Sequence, residues 1–213
     1  PVFHDDQHVT AIVVCAAAKN ALLVASKQFD DIKIVSTGGG AAGIACLNML
    51  VKLGVKKKNI WLCDINGLVY EGRTTDMNAE KAAFAQKTDL RSLDEVIENA
   101  DMFLGLSGPN ILTSSMIKKM GAKPIIFALA NPSPEVMPDI ARKAASDAII
   151  ATGRSDFPNQ VNNVLCFPFI FRGALDVEAT EINDEMQLAC IDAIAEIARK
   201  TTSAEAAAAY QGE

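Results

Sequence analysis

Short runs of hydrophobic residues alternate with longer apolar or amphipathic stretches along this chain. Five of the runs are short and rich in β-branched residues, which is typical of strands buried on both faces of a sheet. They are residues 32–37, 59–63, 101–107, 123–130 and 148–152. Helix-length stretches separate these runs, so the pattern predicts an α/β fold: a doubly wound, Rossmann-type parallel sheet with helices on both faces.

The helices are predicted from apolar periodicity and from capping signals. Residues 10–27 are rich in Ala, Leu and Val and predict a buried helix with Thr10 as a candidate N-cap, and Ser92 and Glu95 match a capping box. Further helices are predicted at residues 41–53, 78–87, 92–99, 113–120, 138–146, 167–177 and 183–200. The last two form a C-terminal helical extension, followed from Thr201 by a frayed or helical tail.

A glycine-rich turn joins the first predicted strand to the helix at 41–53. Gly38, Gly40 and Gly43 fit the spacing G-x-G-x-x-G between a strand and a helix. In dinucleotide-binding folds the first glycine permits a tight turn, the second lets backbone approach a pyrophosphate, and the third lets the helix pack closely on the strand. The free N–H groups of the helix N-terminus also attract phosphate. A glycine-rich turn without a ligand is the alternative.

The ends of the other predicted strands favour the dinucleotide interpretation. Asp64 ends the second strand, 21 residues beyond Gly43, where a carboxylate would meet the ribose hydroxyls of a dinucleotide. The later strands end at Ser107-Gly108, at Asn131 and at residues 153–155. Ligands of doubly wound sheets bind outside the carboxyl ends of the strands, so these residues predict a ligand cleft there.

Composition narrows the class of protein. The chain has 213 residues, of which half are hydrophobic, and a net charge of −6; it can bury one substantial core. No basic block or aromatic-interleaved Lys/Arg stripe is present, which argues against nucleic acid or an anionic membrane as a partner. No apolar run is expected to reach membrane-spanning length. The five cysteines lack metal-binding spacing and are predicted to be buried free thiols in a reducing cytoplasm.

Candidate chemistry outside the glycine turn is sparse. The N-terminal cluster at residues 4–8, His-Asp-Asp-Gln-His, is either a solvated turn or part of a site for Mg²⁺ or Mn²⁺. Such a cation needs about six oxygen ligands, so at least one further acid would have to come from elsewhere. Asn131 precedes a proline and, like the pair Asn162-Asn163, offers amides that suit a carboxylate or a nicotinamide, although a plain turn is the alternative. A general acid/base pair is missing.

Five segments together resemble the malic enzymes, most closely their bacterial branch. The segments are Pro-Val-Phe-His-Asp-Asp-Gln-His at 1–8, Gly-Gly-Gly-Ala-Ala-Gly at 38–43, Leu-Cys-Asp…Tyr-Glu-Gly-Arg at 62–73, Phe-Ala-Leu-Ala-Asn-Pro-Ser-Pro-Glu at 127–135, and Phe-Pro-Asn-Gln-Val-Asn-Asn-Val-Leu-Cys-Phe-Pro at 157–168. The resemblance extends from residue 1 to about residue 200. It corresponds to the C-terminal, dinucleotide-binding half of the family's catalytic unit.

The resemblance implies an NAD(P)-dependent oxidation of (S)-malate with decarboxylation to pyruvate and CO₂, assisted by Mg²⁺ or Mn²⁺. It implies that Asp6 is a metal ligand and that Asp5 is the neighbouring catalytic acid that supports a lysine. The implied cofactor-binding residues are Gly38, Gly39, Gly40, Ala41, Ala42, Gly43, Asp64, Asn131 and Asn163, and the two asparagines are also implied to bind substrate. The choice between NAD and NADP stays open, because Asp64 favours a ribose diol whereas Arg73 could reach a phosphate.

The chain also departs from the family pattern. Val9 stands where the family usually has glycine, and the tyrosine, the lysine and two further metal-binding acids of the family have no counterpart. We therefore expect the sequence to begin inside a longer protein, to lack an N-terminal malic domain and to be inactive alone. The expected organisation is a metal-site segment and lead-in helix at 1–27, an NAD(P)-binding domain at 28–165 and C-terminal helices at 166–213 that complete it.

From the resemblance we expect a cytoplasmic protein that forms a homo-oligomer, specifically a homodimer. Two alternatives stay open: a catalytically silent dinucleotide-binding regulatory module, and another NAD(P)-dependent dehydrogenase such as one acting on amino acids. The adjacent acids Asp5 and Asp6 argue against the second alternative, because hydride transfer to an imino acid needs no metal.

Overall fold

A single six-stranded sheet forms the centre of the computed structural model, which describes residues 3–200. Its strands are β1 (Ile34–Thr37), β2 (Ile60–Asp64), β3 (Gly67–Leu68), β4 (Met102–Gly105), β5 (Ile125–Ala128) and β6 (Ile149–Thr152). The strand order is β3-β2-β1-β4-β5-β6; all pairs are parallel except β2 with β3. The predicted doubly wound α/β fold is confirmed, and all five predicted strands are present.

Helices connect the parallel strands, again as predicted. They are α1 (Thr10–Ala25), α2 (Ala41–Lys52), α3 (Ala79–Ala82), α4 (Leu93–Val96), α5 (Ser114–Lys119), α6 (Pro138–Ala144), α7 (Phe167–Asp176) and α8 (Asp184–Arg199). Helix α3 is much shorter than the predicted 78–87, because the chain returns to the sheet, where the N–H of Gln86 donates to Val69. The predicted capping box of Ser92 and Glu95 is present. The tail predicted from Thr201 lies outside the described residues.

The start of α1 differs from the prediction. Residues Asp5–Val9 already form a π-helical turn that continues into α1. Val9 has helical angles, φ −69° and ψ −39°, and no side chain caps the helix. The prediction of Thr10 as N-cap is therefore wrong, because an N-cap residue has non-helical angles. Val9, which replaces the family's usual glycine, is completely buried at this junction.

Two hydrophobic clusters cover the two faces of the sheet. One contains Ile34 of β1 and the buried residues of α1 and α2, and the other contains Val35 of β1 with buried residues of α4 and α5. Successive residues of β1 thus point to opposite faces, and both faces are buried, as the run of hydrophobic residues predicts. This packing leaves the carboxyl ends of the strands to carry the ligand-facing loops.

Helix α1 is more apolar than expected. The continuous helical segment Asp5–Ala25 has 21 residues and a mean hydropathy of 1.7, which is enough by length and composition alone for a membrane span. The expectation that no run reaches that length was wrong. Within the fold, 61% of the most apolar 18-residue stretch of this helix is buried. Helix α1 contacts α8 through the ion pair of Lys19 with Asp192 and through a hydrogen bond that Arg199 donates to Asn20. Its composition is that of a helix covered on several sides.

The cysteine prediction is largely confirmed. All five cysteines are free thiols, and Cys15, Cys46, Cys63 and Cys166 are buried while Cys190 is half-buried. Burial raises the pKa of Cys46 to about 12, so this thiol stays protonated and inert at neutral pH.

Candidate functional site

A cavity of about 1060 Å³ opens at the carboxyl ends of β1, β2 and β4. It lies where the strand order reverses, since β2 flanks β1 on one side and β4 on the other, and ligands of doubly wound folds bind at this position. Its lining includes Gly38–Gly40, Asp64, Lys81, Ser107 and Gly108. Three of the predicted polar strand ends therefore meet in one cavity.

The three glycines of the turn have different structural reasons to be glycine. Gly38 has a φ of +103°, and a Cβ there would lie 2.3 Å from the carbonyl oxygen of Leu106. A Cβ on Gly43 would lie 2.0 Å from the carbonyl oxygen of Gly38. A Cβ on Gly40 would meet nothing within 4 Å. The fold thus needs the first and third glycines, whereas Gly40 faces open space.

The N-terminus of α2 is available to an anion. Gly40 is the N-cap and provides no side-chain cap, and the first turn carries no acidic residue. The N–H groups at the start of a helix and its dipole favour phosphate. The open space at Gly40 and the uncapped helix N-terminus together leave room and free N–H groups for an anion at this turn.

Asp64 lies in a buried cluster of charges rather than as a free carboxylate. Arg73 Nη2 donates to both of its oxygens at 2.7 Å, and Lys81 Nζ donates to Oδ2 at 2.9 Å and to Asp76 Oδ2 at 2.6 Å. The side chains of Asp64, Arg73 and Lys81 are only 6%, 3% and 8% exposed. Burial by itself would raise the pKa of Asp64, but the hydrogen bonds from Arg73 and Lys81 hold the pKa below its ordinary value.

The two cations of this cluster occupy different positions. Arg73 also donates to the backbone carbonyls of Gly67, Leu68 and Thr75, so its guanidinium is fixed in the interior and is not part of the cavity lining. Lys81 does line the cavity, and its Cε would lie 2.8 Å from a Cβ on Gly39. Lys81, which sequence reasoning missed, is thus the cation at the glycine turn, whereas Arg73 holds Asp64 from the interior side, away from the cavity.

The structure brings Asp5 and Asn163 together although they are 158 residues apart. The amide of Asn163 donates to Asp5 Oδ2, while Asp5 Oδ1 is buried without a partner among the described residues. Asn163 begins a single 3-10 turn, which Asn162 caps by accepting from the N–H of Val164. The asparagine pair therefore has two roles: Asn162 supports the turn and Asn163 donates to Asp5.

The side chain of Asp6 is exposed and forms no hydrogen bond or ion pair within residues 3–200. Carboxylate oxygens are the ligands that Mg²⁺ and Mn²⁺ prefer, so the free carboxylate of Asp6 fits part of such a site. Within the described range, however, no group of three or more His, Cys, Asp and Glu side chains could hold a metal. His8 accepts from the N–H of His4 through Nδ1 and stacks on Phe3. These contacts give His8 a structural role in the N-terminal turn.

Asn131 lies after the end of β5, next to Gly153 at the end of β6. Its amide nitrogen would be 2.9 Å from a Cβ on Gly153, and its peptide bond to Pro132 is cis. Asn131 is exposed but does not line the large cavity. The structure therefore places this amide on the same edge of the sheet as the glycine turn, two strands away from β1.

Comparisons with known proteins agree with this geometry. Residues 8–210 match the family model described as malic enzyme, NAD binding domain. The chain is 58% identical to the NADP-dependent malic enzyme of Escherichia coli over 99% of its length, and 57% identical to the NAD-dependent malic enzyme of Rhizobium meliloti over its whole length. The NAD-dependent malic enzyme of Thermotoga maritima superposes on 91% of the chain with a TM-score of 0.84 and 45% identity.

The chain spans only part of these relatives. It covers 28% of each of the two curated enzymes and 52% of the Thermotoga maritima structure. The resemblance deduced from the five sequence segments is confirmed, because the matched region contains nearly the whole chain. The chain belongs to the malic enzyme family, and it corresponds to that family's NAD-binding domain.

Proposed function

We propose that the complete protein oxidises (S)-malate with NADP⁺ and decarboxylates the product to pyruvate and CO₂, and that this chain binds the dinucleotide. The observation that carries the proposal is the cavity at the strand-order reversal, with Gly38–Gly40 and Lys81 in its lining. The names of the relatives support the reaction, since they are NAD- and NADP-dependent malic enzymes.

The chain's own residues have separate tasks in this reaction. The uncapped N-terminus of α2 and the open space at Gly40 hold the pyrophosphate. Asn131 and Asn163 are the proposed amides for nicotinamide and malate; both are neutral, so they orient these groups without exchanging protons. Asp5 is the proposed catalytic acid, because its buried, unpartnered oxygen is suited to hold a lysine ammonium contributed from outside residues 3–200.

A divalent cation, Mg²⁺ or Mn²⁺, is part of the proposal, with Asp6 as a ligand. When bound, it supplies Lewis-acid polarisation of the C2 oxygen of malate. Asp6 is exposed and can turn its carboxylate to a cation without breaking a contact among the described residues. The remaining ligands are proposed to come from a malic domain outside this range, because residues 3–200 provide no third acid at this place.

The charge cluster supports NADP as the preferred cofactor. Asp64 would favour the ribose diol of NAD if its oxygens were free, but both accept from Arg73 and one also accepts from Lys81. Two cations and two carboxylates, Asp64 and Asp76, make the cluster neutral, so it does not repel a 2′-phosphate. Lys81 lines the cavity, and its three N–H groups donate to Asp64 Oδ2 and to the carboxylate and carbonyl oxygens of Asp76. It is the proposed partner of that phosphate, which would replace the exposed Asp76 carboxylate.

Lys81→Gln is expected to weaken NADP⁺ binding about 10- to 100-fold and to leave NAD⁺ binding much less affected, because a charge-assisted hydrogen bond to the 2′-phosphate is lost. The measurement is the ratio of the two dissociation constants by calorimetric titration of the chain. Lys19→Gln, which removes an exposed cation on α1 paired with Asp192, is the control. Equal losses for both cofactors would show that Lys81 does not bind the 2′-phosphate.

The isolated 213-residue chain is expected to bind dinucleotide without turning over malate. Within residues 3–200 no acid cluster completes a metal site. Tyr70 is not placed to act as an acid or base in the cavity, because Arg91 Cζ lies 3.7 Å from the centre of its ring and Tyr70 does not line the cavity. The test is a calorimetric titration with NADP⁺ and NAD⁺ in parallel, followed by an absorbance assay for reduced nicotinamide with malate and Mn²⁺. Malate-dependent reduction by this chain alone would contradict the proposed division of labour.

A catalytically silent dinucleotide-binding module is the second candidate, because the glycine turn and the cavity account for dinucleotide binding by themselves. The upstream reading frame separates the two candidates. A malic-type domain with a tyrosine, a lysine and two acids supports the enzyme, and a different domain supports the silent module.

A further inference from the structure

Glu135 is a completely buried carboxylate that the proposed function does not yet use. Its oxygens accept from two backbone N–H groups: Oε1 from Ser107 at 3.0 Å and Oε2 from Ala130 at 3.1 Å. No lysine or arginine pairs with it among residues 3–200. Burial raises the pKa of Glu135 although these N–H donors oppose the shift. An unpaired buried acid is costly, so its position calls for a reason.

The fold makes room for this carboxylate at the end of β4. A Cβ on Gly105, the last residue of that strand, would lie 2.4 Å from the carboxyl carbon of Glu135. The carboxylate therefore occupies the volume that a side chain of residue 105 would fill. Glu135 can hold its position only while residue 105 is glycine.

The two N–H donors belong to the loops that form the edge of the ligand cleft. Ser107 follows β4, lines the cavity, and donates its hydroxyl to Thr37 Oγ1 at 2.9 Å. Thr37 directly precedes Gly38, and Ala130 directly precedes Asn131. One carboxylate thus links the ends of β4 and β5 directly and the end of β1 through Ser107.

We propose that Glu135 is a positioning residue for the dinucleotide: it sets the distance between the pyrophosphate turn at Gly38 and the cleft amide of Asn131. This inference rests on the proposed function, because it concerns the same cleft. Two N–H donors need two acceptors in a fixed geometry, and a carboxylate supplies both. A glutamine of the same shape supplies one acceptor and turns an N–H toward the other donor, so one of the two loops is released.

The experiment is a titration of the 213-residue chain and its Glu135→Gln variant with NADP⁺ and NAD⁺, with thermal unfolding of each protein. We expect affinity for both cofactors to fall about tenfold, unlike the selective loss expected for Lys81→Gln. Gly105→Ala, whose new Cβ displaces the same carboxylate, is expected to act in the same direction and carries the test if Glu135→Gln does not fold.

A matched control separates positioning from loss of stability. Ile150→Val removes one methylene from a buried residue of β6 whose side chain takes no part in the hydrogen-bond network, and is expected to lower Tm by about 2–4 °C without changing either affinity. In the complete enzyme, Glu135→Gln is expected to raise KM for NADP⁺ and to lower kcat, whereas Ile150→Val changes neither.

The outcomes are distinct. If the wild-type chain binds no dinucleotide, the proposed function and this inference both fall. If the wild type binds and both cleft variants bind equally well, the proposed function stands and the role of Glu135 is overturned. If Ile150→Val loses as much affinity as Glu135→Gln, Glu135 contributes only to the stability of the fold and has no positioning role.

Discussion

Gly40→Ala is expected to lower the affinity of the chain for NADP⁺ and NAD⁺ by about 100-fold or more while leaving its stability unchanged or slightly higher. The new Cβ would meet no atom of the protein within 4 Å, and the φ of −82° at Gly40 is allowed for alanine. Replacing glycine by alanine at a compatible position stabilises a protein by about 0.4–1 kcal/mol through the unfolded state, and this gain offsets the poorer capping by alanine at the N-cap of α2. The methyl group would, however, stand where the backbone must approach a pyrophosphate.

Gly43→Ala provides the contrast within the same turn. Its Cβ would lie 2.0 Å from the carbonyl oxygen of Gly38, so the helix must move away from the strand, at a cost of about 1–3 kcal/mol or more. Thermal unfolding and calorimetric titration of both variants separate the two effects. We expect Gly40→Ala to lose binding only, and Gly43→Ala to lose stability and binding together. Full affinity in a stable Gly40→Ala variant would place the pyrophosphate somewhere else.

The sequence was sufficient to predict the sheet and the glycine turn because both depend on local patterns. The parallel strands are short β-branched runs, and the turn lies between a strand and a helix whose identities follow from periodicity. Helix ends were harder to predict. Thr10 has the chemistry of an N-cap, but the preceding π-helical turn, which depends on packing around the buried Val9, already has helical angles.

The parts of the site that depend on distant pairing could not be predicted. Lys81 lies 17 residues after Asp64, and only the fold of the segment between them brings the two charges together beside Gly39. Glu135 lies between prolines in a segment where composition favours an exposed acid; its burial depends on Gly105, 30 residues earlier. The resemblance implied separate roles for Asp5 and Asn163 in one reaction, but their direct hydrogen bond follows only from the fold.

The buried charges also change how Asp64 is interpreted. From sequence, a carboxylate at the end of β2 favours NAD, because it would accept from two ribose hydroxyls. In the fold, Arg73 and Lys81 compensate its charge. Relatives that are almost equally similar to this chain are named for NADP in one case and NAD in the other. We therefore propose that the cation at the cavity, rather than the acid alone, decides between NADP and NAD.

Asp6→Ala in the complete enzyme is expected to reduce Mn²⁺-dependent oxidation of malate by about 1,000-fold, because removing a metal ligand forfeits several kcal/mol of transition-state stabilisation. Asp6 is exposed and forms no contact that the fold would lose, so the variant should unfold at the wild-type temperature and bind NADP⁺ with wild-type affinity. The measurements are initial rates at increasing Mn²⁺, a thermal unfolding curve and a calorimetric titration with NADP⁺.

Two further variants make the result specific to Asp6. Asp89→Ala removes an exposed acid elsewhere on the surface and should leave the Mn²⁺ dependence unchanged. Asp5→Asn should instead lower kcat while Mn²⁺ still saturates the enzyme, because Asp5 is held by Asn163 and its proposed partner is a lysine. Wild-type rates in Asp6→Ala would remove it from the metal site. An equal rise in the Mn²⁺ requirement of Asp5→Asn would mean that both neighbouring acids, rather than Asp6 alone, bind the cation.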